Sequence, residues 1–205
     1  GMTGQVRERE RGPLPPHTHL VLSFEGREVI YVDPRRLGRL AASGAATTMW
    51  AARGDVNAWC DRQFGPDALD VPWEEFRRRL GASRGCIKTL LLNQKVLAGI
   101  GNIYADEALF RAGVHPRTPA RDVPLEKLKK LYQALRGILR QSINASGTTL
   151  RDYVTSAGAP GDFARRLKVY GREGAACPRC GTPVRRLRWP AGRSSFYCPR
   201  CQRER

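Results

Sequence analysis

Acidic side chains are scarce in this sequence: 19 Asp and Glu stand against 36 Lys and Arg, and the formal net charge is +17. Long apolar runs are also missing, because no segment approaches the about 20 residues that a membrane-spanning helix needs. No basic segment followed by an apolar one marks the N-terminus as a secretion signal. We therefore expect a protein that neither spans a membrane nor is exported.

The surplus of positive charge predicts a polyanionic partner. A pI near 10.5 is typical of proteins that bind nucleic acid. A ribosome-type RNA contact or an acidic membrane surface would satisfy the same charge, so composition alone leaves these alternatives open. Hydrophobic residues make up 41% of the 205 residues, which is enough for a packed core in one domain or in two small ones.

Four of the six cysteines form two C-x-x-C pairs with seventeen residues between the pairs. These four are Cys177, Cys180, Cys198 and Cys201. Two such pairs complete the tetrahedron of a zinc ion, and four thiolates leave no open position, so the metal would be structural. Two disulfides are the alternative, but a chain without a signal indicates a reducing compartment. Cys60 and Cys86 are predicted to be small buried side chains.

The pattern of apolar and turn-forming residues predicts short elements. Residues 1–16 are charged and rich in Pro and Gly, so a flexible leader is expected there. Residues 19–24 and 28–32 read as a β-hairpin. Helices are predicted at 73–80, from 87 onward, from Asn102 to Gly113 with Asn102 as the N-cap, and after Pro124. The last helix has one apolar stripe: Leu125, Leu128, Leu131, Leu135, Ile138, Leu139 and Ile143.

One turn and two basic residues are candidates for binding an anion. The run Gly99-Ile100-Gly101-Asn102 at a helix start would expose backbone N–H groups, and its glycines would let a phosphate approach. Lys88 lies one helix earlier and could reach the same phosphate. Arg193 is expected at the tip of a hairpin between the two cysteine pairs. A bare G-x-G-N is more often only a tight turn, and most basic residues are simply solvated.

Several of these motifs resemble one known family. Residues 99–110 resemble the helix–two-turn–helix signature of the formamidopyrimidine-DNA glycosylases and of the related endonuclease VIII enzymes. Residues 169–172, the two C-x-x-C pairs and residues 192–198 resemble the zinc finger of that family, and residues 33–38 resemble its intercalation loop. The resemblance runs from about His17 to Gln202.

The resemblance implies DNA-binding roles for the matching residues. Lys88, Gly101 and Asn102 would hold the phosphates beside a lesion. Arg193 would do the same from the tip of the zinc finger and, as the one catalytic candidate, would assist the second strand-cleavage step.

Three further roles follow from the same resemblance. His17 would contact the DNA backbone. Arg35 would fill the space of a flipped base and pair with its orphaned partner, and Leu37, where a phenylalanine is usual, would wedge into a base step. Residues 157–161 correspond to the lesion-covering loop.

The N-terminus departs from the family pattern. In that family, catalysis uses an N-terminal proline, whose amine forms a Schiff base with the sugar. A neighbouring glutamate and a lysine of the N-terminal β-sandwich assist it. This sequence begins Gly1-Met2-Thr3-Gly4. We expect a naturally shortened relative or a misannotated start, and binding of damaged or abasic duplex DNA without the proline nucleophile. The alternatives are an active glycosylase and lyase that uses another amine, and an RNA-binding or scaffolding module.

The expected fold is mainly α with small β elements. A helix–two-turn–helix domain is followed by a β-hairpin zinc ribbon and preceded by a β-hairpin remnant of a β-sandwich. The expected domains are a leader at 1–16, the hairpin remnant and linker at 17–72, the DNA-binding domain at 73–157, and the lesion-loop equivalent with the zinc finger at 158–205. One structural Zn²⁺, a monomer, double-stranded DNA as partner and a bacterial-type, nucleoid-associated cytoplasmic location complete the expectation.

Overall fold

The computed structural model describes residues 4–34, 36, 63–150, 153–157, 159–188 and 193–204. The helices and strands of this part are, in chain order, β1 Gln5–Arg9, β2 Thr18–Phe24, β3 Arg27–Val32, α1 Trp73–Gly81, α2 Ile87–Leu92, α3 Asn102–Ala112, α4 Leu125–Asn144, β4 Arg185–Arg188 and β5 Ser194–Tyr197. Contacts divide the chain into two compact units, Gly1–Arg53 with Gln141–Arg166 and Gly54–Arg140 with Leu167–Arg205. The predicted domain boundaries stay a prediction.

The first unit contains a three-stranded antiparallel sheet in the order β1-β3-β2. Strands β2 and β3 form the hairpin that the sequence predicts. Gly26 in its turn has a φ of +77°, a left-handed conformation that glycine adopts without strain. Ile30 and Val32 of the central strand alternate with its other residues and are buried on one face of the sheet.

Strand β1 corrects the expectation of a flexible leader at residues 1–16. It pairs with β3 from Gln5 opposite Val32 to Arg9 opposite Glu28. Without this partner, that edge of β3 would present a row of unpaired N–H and C=O groups. The charged composition predicted disorder, but backbone pairing does not depend on apolar side chains.

Helix α1 and the part of α4 in the second unit, residues 125–140, pack through aromatic rings. Trp73, Phe76 and Tyr132 have ring centroids 5.2 to 6.2 Å apart, and the Tyr132 hydroxyl donates to the Val71 carbonyl at 3.0 Å. The middle of the predicted stripe on α4 is buried: Leu128, Leu131, Leu135, Ile138 and Leu139. The prediction fails at both ends of the helix. Leu125 and Ile143 are exposed because the packed face stops before the helix does.

Helix α3 begins and ends at glycines. Gly101 precedes it with an extended backbone, and no side chain caps the N-terminus. Asn102 is therefore not the N-cap that the sequence predicts but the first helical residue, and its side-chain amide donates to Ser194 instead. The predicted stop is confirmed, because Gly113 has a φ of +66° and ends the helix in a left-handed turn.

Strands β4 and β5 form a small antiparallel hairpin, with Arg185 opposite Tyr197 and Arg188 opposite Ser194. The buried cluster beside it is small and consists of Phe110, Val169, Cys177, Val184 and Cys198. A core of this size stabilises a fold only weakly without a disulfide or a metal.

Among the described residues, four α-helices, two short 3-10 helices and two small antiparallel sheets agree with the expected mainly α fold with small β elements. Within the described residues, no helix has both the length and the apolar character that crossing a membrane requires. Cys86 is only partly buried, which corrects its prediction, because it precedes the first buried position of α2. Cys60 lies outside the described residues.

Candidate zinc centre and nucleic-acid interface

The sulfur atoms of the two C-x-x-C pairs form one group, all within 4.8 Å of one another. Cys177 Sγ lies 3.9 Å from Cys201 Sγ, and Cys180 Sγ lies 3.5 Å from the sulfurs of Cys198 and Cys201. Zn–S bonds of about 2.3 Å in a tetrahedron place neighbouring sulfurs about 3.8 Å apart. The spacing therefore matches a tetrathiolate zinc site.

Backbone N–H groups shape both turns. The N–H of Arg179 donates to Cys177 Sγ and that of Cys201 donates to Cys198 Sγ, both at 3.4 Å. Gly181, with a φ of +72°, closes the first turn by donating its N–H to the Cys177 carbonyl at 2.9 Å. Burial is the larger effect on the pKa of Cys198 and raises it, while the hydrogen bond from the Cys201 N–H lowers it.

The cysteines of this group differ in the direction in which their surroundings move the pKa. Hydrogen bonds from Thr182 lower the pKa of Cys180 to about 6. Burial, followed by the neighbouring sulfurs, raises the pKa of Cys201 to about 12. Four thiolates at this spacing repel one another, and a divalent cation bound to all four removes that repulsion. The donor set and its spacing fit one structural zinc ion, which confirms the predicted cofactor.

Lys88 on α2 and Asp106 on α3 form a buried ion pair. Lys88 Nζ lies 2.6 Å from Asp106 Oδ1, and the two side chains are 0% and 1% exposed. Burial raises the pKa of Asp106 to about 6 and lowers the pKa of Lys88, while the charge of each partner opposes the shift. Hydrogen bonds offset part of the desolvation. Asp106 accepts from the Ser195 hydroxyl at 2.8 Å and the Phe196 N–H at 2.9 Å.

Two of the residues singled out in the sequence, Lys88 and Asn102, donate to the carbonyl oxygen of Ser194, and a third, Arg193, precedes Ser194 in the chain. This oxygen accepts from Lys88 Nζ at 3.2 Å and from Asn102 Nδ2 at 2.9 Å. Asn102 Nδ2 also lies 3.4 Å from the Tyr170 hydroxyl, while its Oδ1 is buried with no hydrogen-bond partner among the described residues. Arg193 immediately precedes Ser194, is exposed, and its charge contributes to lowering the pKa of Lys88.

The N-terminus of α3 lies at the same place. The first N–H groups of a helix have no acceptor within it, and the helix dipole makes this end attractive to anions. Gly101 is exposed, and apart from its own atoms and its two chain neighbours no atom lies within 4 Å of the position that a Cβ would take. The glycine therefore leaves room for an anion beside Asn102.

Two acidic residues of α3 hold the parts of this site together, and sequence reasoning missed both. Asp106 binds the start of β5. The Glu107 carboxylate accepts from the N–H groups of Lys168, Val169 and Tyr170 at 2.9 to 3.0 Å, which places Tyr170 beside Asn102. Adjacent acids within a helix of a strongly basic chain were the available signal, and Asp106 lies one helical turn after Asn102.

The other predicted DNA contacts are His17, Arg35, Leu37 and the lesion loop. His17 belongs to the first unit and is exposed, with a φ of +66° and a carbonyl that accepts from the Asp33 N–H at 3.0 Å. Arg35 and Leu37 fall outside the described residues. In the predicted lesion loop, the Ala159 N–H donates to Thr155 Oγ1 and the Thr155 N–H to the Ala159 carbonyl. The roles of these residues stay predictions.

Comparisons with known proteins match both parts of the site. The model of the formamidopyrimidine-DNA glycosylase H2TH domain matches residues 64–154, and that of the zinc finger found in FPG and IleRS matches residues 174–203. The formamidopyrimidine-DNA glycosylase of Thermus thermophilus is 44% identical over 209 residues, which cover 100% of this chain and 73% of that protein. The Methylococcus capsulatus enzyme of the same name is 41% identical over 208 residues, covering 99% and 73%.

Solved structures show the same similarity. The crystal structure of MutM (Fpg) from Thermus thermophilus has a TM-score of 0.85 and 43% identity, and the match covers 100% of this chain and 74% of that one. The complex of Lactococcus lactis Fpg with DNA that contains an abasic site has a TM-score of 0.83 and 31% identity, with 99% and 73% covered. MutM bound to DNA with carbocyclic 8-oxo-G has a TM-score of 0.83 and 30% identity, with 99% and 72% covered.

Proposed function

The chain belongs to the formamidopyrimidine-DNA glycosylase family, and we propose that it binds double-stranded DNA containing a damaged base or an abasic site. The related Lactococcus lactis protein and a related MutM are each complexed with DNA of this kind. Residues 64–154 would form a helix–two-turn–helix domain, and residues 174–203 would form a zinc ribbon. Both parts would bind the same DNA duplex.

The group of side chains around Ser194 carries this proposal. Lys88 and Asn102 donate to one carbonyl, and the exposed Arg193 adjoins it. Asn102, Arg193 and the N-terminus of α3 at Gly101 would supply hydrogen-bond donors and positive charge for a DNA phosphate. Lys88 is 0% exposed and paired with Asp106, so it would join them only if its ammonium left that carboxylate. His17, Arg35 and Leu37 would add a backbone contact and a wedge between bases.

We further propose that these 205 residues bind a lesion without excising the base. Excision needs an extruded nucleotide, an amine nucleophile and carboxylate-assisted proton transfer. The 205 residues contain no Pro-Glu pair, which supplies the amine and the carboxylate in the family. Among the described residues around Ser194, Lys88 carries the primary amine, and its ion pair with Asp106 holds it at 0% exposure.

A lyase that uses a different amine is the second candidate. One observation favours it: burial lowers the pKa of Lys88, and a lower pKa increases the fraction of the neutral, nucleophilic amine. The 2.6 Å ion pair opposes it, because the amine would first have to leave Asp106.

Fluorescence anisotropy tests the binding proposal on four labelled nucleic acids of one sequence. These are a duplex with a tetrahydrofuran abasic analogue, a duplex with 8-oxoguanine, an undamaged duplex and single-stranded RNA. We expect the abasic duplex to bind more tightly than the undamaged one and the RNA. Equal affinity for both duplexes contradicts lesion recognition, and a preference for RNA supports an RNA-binding module instead.

Borohydride trapping on preformed abasic DNA tests the chemistry, because a covalent adduct requires an amine. We expect no release of 8-oxoguanine and at most weak nicking, which many amines catalyse. A strong adduct that Lys88→Ala abolishes favours the second candidate. Multiple-turnover release of the damaged base contradicts the proposal that excision is absent.

A further inference from the structure

The β4–β5 hairpin has two different faces. On one face Ser195 and Tyr197 are buried, and Ser195 contacts Asp106 of α3. Residues directly opposite each other in an antiparallel pair share a face, as do alternate residues of one strand. The other face therefore carries Arg186, Arg188, Ser194 and Phe196.

Arg186 is held in position on this second face. Its Nε donates to the Ser194 hydroxyl at 2.8 Å, and its Cζ lies 6.0 Å from the centre of the Phe196 ring. Its Nη1 lies 3.8 Å from the Glu173 carboxylate, and the arginine side chain is 51% exposed. A guanidinium that is already oriented loses less conformational entropy when it binds a ligand.

Ser194 connects Arg186 to Lys88, Asn102 and Arg193, the proposed phosphate contacts. Its hydroxyl accepts from Arg186, its carbonyl accepts from Lys88 and Asn102, and Arg193 precedes it in the chain. Building on the proposed function, we propose that Arg186 is a further DNA-binding residue. It contacts a backbone phosphate next to the phosphates assigned to Lys88, Asn102 and Arg193.

In the absence of DNA, the Glu173 carboxylate occupies the place beside Arg186 that we propose for this phosphate. Its carboxylate is 57% exposed and lies beside Arg186 Nη1. The planar fork of arginine binds carboxylates and phosphates with the same geometry. An exposed pair of this kind is weak, so a phosphate displaces the carboxylate at little cost. Glu173 thus competes with DNA for Arg186.

The salt dependence of duplex binding tests the proposal, with Arg185→Ala as the matched control for Arg186→Ala. Arg185 is exposed on the same strand and its loss changes the net charge equally, but it pairs with Tyr197 on the other face. Arg186→Ala should weaken binding about tenfold and flatten the plot of log Kd against log salt by about one unit. Arg185→Ala should leave this slope unchanged. Arg186→Lys should keep the slope, because the charge remains, but recover only part of the affinity.

A second comparison uses Glu173→Gln, which removes the competing charge. As a single change in the native protein, Glu173→Gln should tighten DNA binding by about twofold to threefold. Added to Arg186→Ala, it should have no further effect on binding. Zinc content and melting temperature should be the same in all variants, because the altered side chains are exposed.

The outcomes separate this inference from the proposed function. If the native protein binds the duplex and the two arginine variants behave alike, Arg186 contributes only to net charge and the inference is wrong. An equal effect of Glu173→Gln with and without Arg186 also overturns it. If the native protein binds no duplex, the proposed function fails and the role of Arg186 fails with it.

Discussion

At the scale of single residues, the buried ion pair of Lys88 and Asp106 decides how the elements around the site are arranged. Taking two charges out of water costs several kcal/mol per ion, and their attraction rarely does more than offset this cost. Asp106 also accepts from Ser195 and Phe196, and Lys88 donates to Ser194. The pair therefore specifies how α2, α3 and the start of β5 meet, rather than adding much net stability.

This pair gives a prediction for stability. Asp106→Ala should lower the free energy of unfolding by about 3–5 kcal/mol, because Lys88 would stay buried without a counter-charge. Changing both residues, Lys88→Met with Asp106→Leu, should recover part of the loss, because no uncompensated charge remains. The Ser195 hydroxyl and the Phe196 N–H, which donate to Asp106, would still lose their acceptor. Guanidinium unfolding with zinc in excess measures both effects.

An exposed ion pair supplies the control for this experiment. Arg121 and Asp122 lie 3.5 Å apart with side chains 50% and 52% exposed, so Asp122→Ala should cost less than about 1 kcal/mol. A double variant as unstable as Asp106→Ala alone would show that lost packing and hydrogen bonds, and not the uncompensated charge, cause the loss.

At the scale of elements, the β4–β5 hairpin depends on its neighbours. Its buried cluster includes two of the four cysteines, so the metal ligands are also part of its core. Asp106 and Glu107 of α3 fasten the hairpin and the Lys168–Tyr170 segment to the helix. Loss of the metal should therefore disturb the Ser194 group, which the start of β5 provides.

Metal removal tests this dependence. Freshly purified protein should contain one equivalent of zinc, and Cys198→Ser should lose the metal and weaken DNA binding, because zinc binding supplies folding free energy. Cys86→Ser is the matched control, since Cys86 lies outside the sulfur cluster and should keep both zinc and DNA binding. Less than half an equivalent in the native protein would count against the zinc centre.

At the scale of the whole molecule, the net positive charge is the main source of attraction to a polyanion. Four thiolates with one Zn²⁺ cancel about two of the positive charges, which leaves most of the +17 available to attract a polyanion. This attraction acts on any nucleic acid, so lesion specificity has to come from placed residues and not from charge.

Salt titration separates the two contributions. Binding of the native protein to a duplex should weaken steeply between about 50 and 200 mM salt, because phosphate contacts release counterions. Lys88→Ala should flatten the slope by about one unit if its ammonium moves from Asp106 to a phosphate. An unchanged slope means that Lys88 stays paired with Asp106 and is not a DNA contact.

Local sequence patterns determined several features of this protein by themselves. The zinc centre follows from the C-x-x-C spacing, because two residues between cysteines bring their sulfurs together in any context. Gly113 ends α3 and Gly26 forms the hairpin turn, since both need a left-handed backbone. The two glycine predictions succeeded because each depends on neighbouring residues alone. The zinc prediction succeeded because each C-x-x-C turn is local, although the two turns meet across 18 to 24 positions.

Tertiary structure alone decided the rest. Ser194 meets Lys88 across 106 positions of sequence and Asn102 across 92, and no local pattern encodes such contacts. The same packing buries Lys88, pairs it with Asp106, draws the Asn102 side chain away from capping α3 and gives strand β1 its partner. The sequence therefore identified the metal ligands, and its DNA-binding residues stay a prediction. Their burial, charge state and common acceptor depend on the free energy of packing the whole chain, which no short segment contains.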